Sequence, residues 1–299
     1  MNALFIAALC LIWGSTWMAI KINLTSFPPF YSAGLRFLLA GLVLLAVMKV
    51  KGITFPTDKK STYPSIVFGV LNGVSYGFVY WGEQFIPSSL TAVLMASLPF
   101  FSIILAYFII GETITVRKTM GSILGFVGVL LLFYEGLNGA GGSKLAGQLA
   151  IVAAAAINAL AGVHVKKHST INPLIAVTIQ MFFASFVLLL VAVPAEYGRG
   201  ISFSLSGITA FLYLSLVGSA LAFYLYNLLL TRMEVSKLGY IALVTPAVAT
   251  LLGAIWLGEV IQWQVAVGML LILIGSLTIN LRLPKHVAEG GQRADGRKE

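Results

Sequence analysis

Ten apolar stretches separated by short polar breaks leave this chain little room for anything but membrane-crossing helices. A bilayer core needs about 20 apolar residues per helix. The stretches fall near 3–20, 30–48, 63–82, 87–110, 119–134, 145–165, 173–194, 206–230, 238–257 and 263–281. If each one crosses, the breaks alternate between two sides. One side then collects Lys49, Lys51, Lys59, Lys60, Arg117, Lys118, Lys166, Lys167, Arg232, Lys237 and the five Lys and Arg residues beyond position 281. The other side receives only Lys21, Lys144 and Arg199, and Arg36 stays inside a span. Basic residues accumulate on the cytoplasmic face because translocating them is unfavourable. The split therefore predicts ten helices with both termini in the cytoplasm, and a localisation in the plasma (inner) membrane. A count wrong by one helix would swap the sides partway along and spoil the asymmetry.

Composition agrees. Of 299 residues, 59% are hydrophobic and 10% charged, with a mean hydropathy of +0.96, whereas soluble domains are charged at about a quarter of positions. The net charge of +9 reads as the orientation signal and as attraction to lipid head groups. No basic run is interleaved with aromatics on a soluble face, so nucleic acid is not an expected partner. Cys10, the one cysteine, reads as a small buried hydrophobe. Neither a metal cluster nor a nucleotide-binding loop nor a nucleophile elbow is present in the sequence. The expectation is a protein that is not an enzyme and carries no cofactor or metal.

The chain is also written twice. Leu98-Pro99-Phe100 opens a run that closes at Gly111-Glu112, and Thr245-Pro246-Ala247 opens one that closes at Gly258-Glu259. The copies lie 147 residues apart, and the same offset carries Gly121 to Gly268 and Gly128 to Gly275. Offsets of 144 carry Pro29 to Pro173 and Arg36 to Gln180, and one of 145 carries Lys21 to Lys166. The expected organisation is a five-helix repeat over 1–135, a Gly-rich linker over 136–144, a second five-helix repeat over 145–282, and a disordered cytoplasmic tail over 283–299. Five is odd, so the second copy enters the membrane from the opposite face. The predicted fold class is an all-α membrane protein of ten transmembrane helices in two inverted five-helix repeats. Such inverted halves are the architecture of secondary transporters, where two similar units exchange conformations around a midplane site.

Several motifs carry a resemblance to a known family. They are Trp13-Gly14-Ser15-Thr16-Trp17, Leu35-Arg36-Phe37, Trp81-Gly82-Glu83-Gln84 with Pro87-Ser88, and the two Pro-to-Gly-Glu runs. In that order and spacing they resemble the ten-helix EamA-type members of the drug/metabolite transporter superfamily, over the chain to about residue 282. The resemblance implies export of small metabolites, amino acids or related compounds among them, or of toxic amphiphiles. Two related groups fit less well. The four-helix multidrug pumps use an acidic residue in the first helix, and residues 3 to 20 here hold no charge. Phosphate-bearing substrates need several cations in the cavity, and Arg36 is the one available.

Within the spans, ionisable groups are functional candidates because they are costly at membrane depth. Arg36 and Glu83 are expected at similar depth on neighbouring helices, either as a structural ion pair or as a gate that meets a zwitterionic substrate. Asn72, Tyr76 and Tyr80 recur at four-residue spacing and so share one face of the third helix. Asn158 falls at the position of Trp13 in the second repeat, and Tyr224 and Asn227 share a face of the eighth helix. Trp13, Trp17, Asn72, Tyr76, Tyr80, Glu83, Asn158, Tyr224 and Asn227 are the expected lining of a substrate cavity. Any single member also reads as a packing or interfacial belt residue, and the lining rests on the set rather than on its members. His164 reads as an interhelical or interfacial group. Pro99 and Pro246 would kink equivalent helices, either as hinges or as static bends. Gly69, Gly73 and Gly77 predict close helix packing, and Gly121-x-x-x-Gly125 suits internal packing or dimerisation equally. The expected partners are a small-molecule substrate and membrane lipids, with proton coupling through Glu83 as one option and a monomer or homodimer as the assembly. The expected activity is export of small organic metabolites by alternating access. The alternative is a multidrug exporter of aromatic cations.

Overall fold

The computed structural model describes residues 2–56, 58–138, 142–168, 171–233 and 235–280, and the predicted tail lies outside them. Every regular element among these residues is helical. The elements are α1 (Asn2–Asn23), α2 (Pro29–Val50), α3 (Lys59–Gly82), α4 (Ser88–Met95), α5 (Leu98–Ile110), α6 (Val116–Asn138), α7 (Gly142–His168), α8 (Pro173–Ala195), α9 (Leu205–Ser215), α10 (Ala222–Leu230), α11 (Val235–Leu257) and α12 (Trp263–Asn280). A π-helix, Leu216–Leu221, joins α9 to α10. Taking α4 with α5 and α9 through α10 as single spans, the described residues form the ten helices that the charge pattern predicts. Seven of these segments are long and apolar enough to cross a membrane, with Ile241–Leu257 and Trp263–Ile279 as shorter apolar helices. α3 has 24 residues, about 36 Å at ~1.5 Å per residue, and dilutes its apolar character with Asn72, Ser75 and three tyrosines. The Gly-rich stretch is less open than its composition suggests. α6 runs to Asn138 and α7 begins at Gly142, and only residues 139–141 fall outside the description.

The two repeats pack through equivalent pairings. α2 lies against its counterpart α8, and α6 against its counterpart α12. The α1–α11 contact is repeated as α7 against α4 and α5, and the α3–α7 contact as α9 and α10 against α1. This exchange of neighbours between halves is what a two-fold arrangement of inverted repeats requires.

Small residues set the distances, because helices in lipid associate through close packing more than through apolar burial. A Cβ at Gly121 would lie 2.6 Å from the carbonyl of Gly275, and one at Gly128 would lie 2.8 Å from that of Gly268. The four repeated glycines thus meet crosswise, Gly121 opposite Gly275 and Gly128 opposite Gly268. Gly125 abuts the ring of Phe100, so the Gly121-x-x-x-Gly125 face is used inside the bundle. Gly69 and Gly73 seat α3 on the backbone of α8, each with a prospective Cβ 2.8 Å from a carbonyl oxygen of α8. The two Gly-Glu motifs end their helices alike, with Gly111 at φ +70 and Gly258 at φ +64, a left-handed conformation that side chains disfavour. Where the repeats differ is at their prolines. Pro99 sits in the first turn of α5 after an interruption at Ala96-Ser97, whereas Pro246 lies inside an unbroken α11.

Gly275→Leu forces a side chain into the backbone of α6. Overpacking of this kind costs about 1–3 kcal/mol. The variant should lose monodispersity on detergent gel filtration and melt several degrees below the wild type.

Candidate functional site

Arg36 is the largest fully buried side chain among the described residues, at 1% exposure. A guanidinium at that depth must spend its donors inside the protein. Its Nε donates to Ser219 Oγ at 2.7 Å, Nη1 to Tyr80 OH at 3.2 Å and Nη2 to the carbonyl of Gly218 at 3.4 Å. The guanidinium carbon also lies 5.2 Å from the Tyr76 ring centroid and 5.3 Å from that of Phe37, within range of a cation–π attraction. Two of the three acceptors belong to the π-helix. A wide turn of this kind displaces carbonyls from the i→i−4 ladder and is often found at functional positions. Here it offers Gly218 O and Ser219 Oγ to a cation from the other repeat. Gly218 has no side chain to intervene; a Cβ there would lie 2.8 Å from Thr16 Cγ2 and 3.4 Å from Arg36 Nη2. The extra residue also rotates everything after it by about 100°, and Phe223 and Tyr226 then meet Trp13, at 5.7 and 5.2 Å between ring centroids.

Glu83 follows the last turn of α3 and is fully buried. Neither of its carboxylate oxygens has a hydrogen-bond partner. The predicted pairing with Arg36 is not made directly: no ion pair within 4 Å joins them, since Arg36 turns to Tyr80 and the π-helix. The charged groups acting on Glu83 are Lys21, Glu259 and Arg36. Lys21 reaches the same turn from α1, but its Nζ donates to the carbonyls of Glu83 at 2.6 Å and Ile86 at 2.8 Å. It thereby caps the C-terminal end of α3, where a cation suits the helix dipole. Glu259 grips the other side of the turn. One oxygen accepts from Ser88 N at 2.7 Å and Ser88 Oγ at 2.8 Å, and the other from Ser89 N at 3.0 Å. A carboxylate from the second repeat thus caps α4. Burial opposes its charge, but the hydrogen bonds from Ser89 and Ser88 outweigh that and hold its pKa below the usual carboxylate value.

The other expected lining residues divide. Tyr76 and Tyr80 share the Arg36 face of α3, as their spacing predicts. Asn72 lies on it too, fully buried with both amide atoms unpartnered. The indole N–H groups of Trp13 and Trp17 are likewise buried without acceptors. Tyr224 packs against the main core. Asn227 turns its amide back to Phe223 O at 2.9 Å and so serves its own helix. Asn158 is half-buried on α7 and makes no hydrogen bond to this cluster. His164 stacks edge-on against Tyr63, 6.0 Å between centroids, away from the Arg36 group. Sequence reasoning missed four participants. Asn23, buried at the end of α1, bonds Gly207 O at 3.2 Å and accepts from Ser32 Oγ. Ser219 gave no signal beyond being polar within a span. Lys21 read as a loop cation, although its place in the last turn of a helix is a capping signature. Glu259 read as a helix terminator, although Pro87-Ser88-Ser89 marks the helix start it caps.

Two repeats of apolar, membrane-length helices that enclose a buried cation and a buried acid are the architecture of a multi-pass membrane protein. The chain belongs to the EamA-like transporter family, whose model matches residues 1–134 and again 145–281. It is 31% identical over 282 residues to the uncharacterized inner membrane transporter YedA of Escherichia coli, covering 93% of this chain and 90% of that protein. It is 28% identical to the uncharacterized transporter YoaV of Bacillus subtilis, covering 90% and 93% of the two chains. A probable amino-acid metabolite efflux pump of Salmonella typhimurium is 27% identical, with 93% and 94% covered. A crystal structure superposes with a TM-score of 0.67 at 19% identity, covering 93% of this chain and 96% of the other, and so shares the fold.

Removing the α4 cap tests the clamp. Glu259→Ala leaves three donors unmet and should cost about 2 kcal/mol, read as a lower melting temperature. The folded pKa lies below the unfolded one, so this stability is present above the ordinary Glu value of about 4.3. It is lost as pH falls through the lower folded value. The gap between wild type and variant should therefore be full at neutral pH and close in acid.

Proposed function

We propose that the protein is a secondary transporter that exports small organic metabolites, amino acids or related compounds, by alternating access across the inner membrane. The supporting observation is the separation of two opposite charges in one buried region. Arg36 has no carboxylate partner, and Glu83 has no donor. A zwitterion brings one group of each kind, a carboxylate for the guanidinium and an ammonium for the acid. Charge-assisted hydrogen bonds of this type are about twice as strong as neutral ones. Trp13, Trp17 and Asn72 hold further unpartnered groups nearby in the sequence of elements, suited to the polar atoms of a small solute. The name of the Salmonella relative, a probable amino-acid metabolite efflux pump, points the same way. Cytoplasmic termini are the orientation that the basic residues gathered on one side support.

An exporter of aromatic cations is the second reading, favoured by the Trp13, Tyr76 and Phe223 rings and the unpartnered Glu83. Arg36 weighs against it. A fixed cation in a low-dielectric interior repels a second one whose charge no carboxylate offsets.

Counterflow in proteoliposomes against labelled amino acids, nucleosides and one aromatic cation tests the reading. Saturable exchange of an amino acid is expected. Arg36→Met should abolish it, and Tyr80→Phe should weaken apparent affinity about tenfold, the equivalent of ~1.4 kcal/mol. Exchange confined to the cation would overturn the metabolite assignment in favour of the second reading.

A further inference from the structure

Two charges from opposite repeats hold the α3–α4 turn shut, and an acid that neither of them hydrogen-bonds is enclosed beside it. Lys21 holds the carbonyl side of the turn and Glu259 the amide side. Each spends its polar atoms on backbone or serine groups, so neither gives Glu83 a hydrogen bond. The remaining surroundings offer no more. From α2 comes Arg36, engaged with Ser219, Gly218 and Tyr80. From α3 comes Tyr80, whose hydroxyl accepts from Arg36 and makes no hydrogen bond to Glu83. From α7, the residues against Gly82 are Gly147, Ala150 and Ile151, which do not titrate. A carboxylate wholly out of water and without a donor is strongly disfavoured, whereas the neutral acid is tolerated.

We propose that Glu83 is a proton-binding site, and that its proton sets whether the Lys21 and Glu259 clamp on the α3–α4 turn is closed or open. In the closed form seen here the acid carries the proton. When the bundle opens to the cytoplasm and the ammonium of a solute reaches the acid, the O–H bond breaks and the proton passes to water on the cytoplasmic side. The new carboxylate then draws the Lys21 ammonium off the carbonyls. The movement is small, because Nζ already lies 2.6 Å from the carbonyl of Glu83 itself. With Lys21 gone, the carbonyl side of the turn is released and only the Glu259 cap remains. Reprotonation from the outer side, once the solute has left there, returns Lys21 to the turn. One proton therefore enters for each solute released. This rests on the export reading of the same site, and it adds the coupling ion and the gate that the ion works.

The test uses the full-length protein in lipid nanodiscs and dicyclohexylcarbodiimide, which modifies protonated carboxyls in apolar surroundings. Mass spectrometry should find the adduct on Glu83, falling about tenfold between about pH 6 and about pH 9 as the proton leaves. Glu83→Gln should lack it. Lys21→Met, which removes the attracting cation, should keep labelling high at the alkaline end. No Glu83 adduct at any pH overturns the proposal, and so does equal labelling throughout, because an acid that never exchanges its proton couples nothing. A Lys21→Met profile identical to the wild type removes the clamp from it. In proteoliposomes, an imposed pH gradient should drive wild-type accumulation of the solute found above, and Lys21→Met, which alters the turn and not the solute's contacts, should retain counterflow yet lose most of that response. Wild-type exchange indifferent to the gradient overturns the coupling and leaves the export reading standing. If no solute exchanges, the export reading fails, and the labelling profile still decides the proton site.

Discussion

A guanidinium shut away from water organises this bundle. Desolvating Arg36 is expensive, and only a full set of acceptors makes it tolerable. Those acceptors come from α3 and from the second repeat, so α2, α3 and the π-helix are fixed relative to one another by one side chain. The π-helix follows from the same need. An unbroken α-helix there would keep the Gly218 carbonyl in its own ladder and present Ser219 at a different angle. Because the widened turn re-phases α10, the aromatic contacts of Trp13 with Phe223 and Tyr226 depend on it as well. A buried charge is poor evidence for stability in itself. Here it specifies how two halves of a repeat protein register.

The halves are alike in plan and unlike in detail, and the differences fall at the site. The helix pair α4 and α5 is interrupted before Pro99, whereas α11 runs through Pro246 without a break. α3 is a continuous helix, whereas its counterpart carries the π-helix. Arg36 corresponds by position to Gln180, which is also buried but carries no charge. A carrier of two identical halves would present the same groups to both sides in turn. This one places its cation, its unpartnered acid and its lysine clamp in the first repeat. The second repeat contributes the acceptors and the Glu259 cap.

Much of this was legible beforehand, for reasons that differ by residue. The span count came from the distribution of lysine and arginine, because the bilayer acts on every loop. The α6–α12 contact was readable in outline, since glycines repeated at matched positions need a close neighbour. The tyrosine face of α3 was readable from helical spacing alone. The direct Arg36–Glu83 pair was not met, because depth along a helix says nothing about rotation around it. Asn158 and Asn227 were placed in the lining for their polarity, yet Asn227 serves its own backbone and Asn158 makes no bond to the cluster. The caps made by Lys21 and Glu259 join residues 62 and 171 positions apart, and no local pattern announces a partner at that range.

By itself, then, the sequence determined the solvent of this protein, the number of crossings, the duplication and the family. Each of those is set by composition or periodicity, properties that a chain carries without folding. Only the tertiary structure decided which buried polar groups satisfy one another and which are left unpartnered. That choice depends on helix rotation, on one extra residue in a turn and on contacts between repeats. In a low-dielectric interior those details settle whether a charge is structural or free to act. Arg36 is held by acceptors from α3 and the second repeat, and Glu83 is left without a donor.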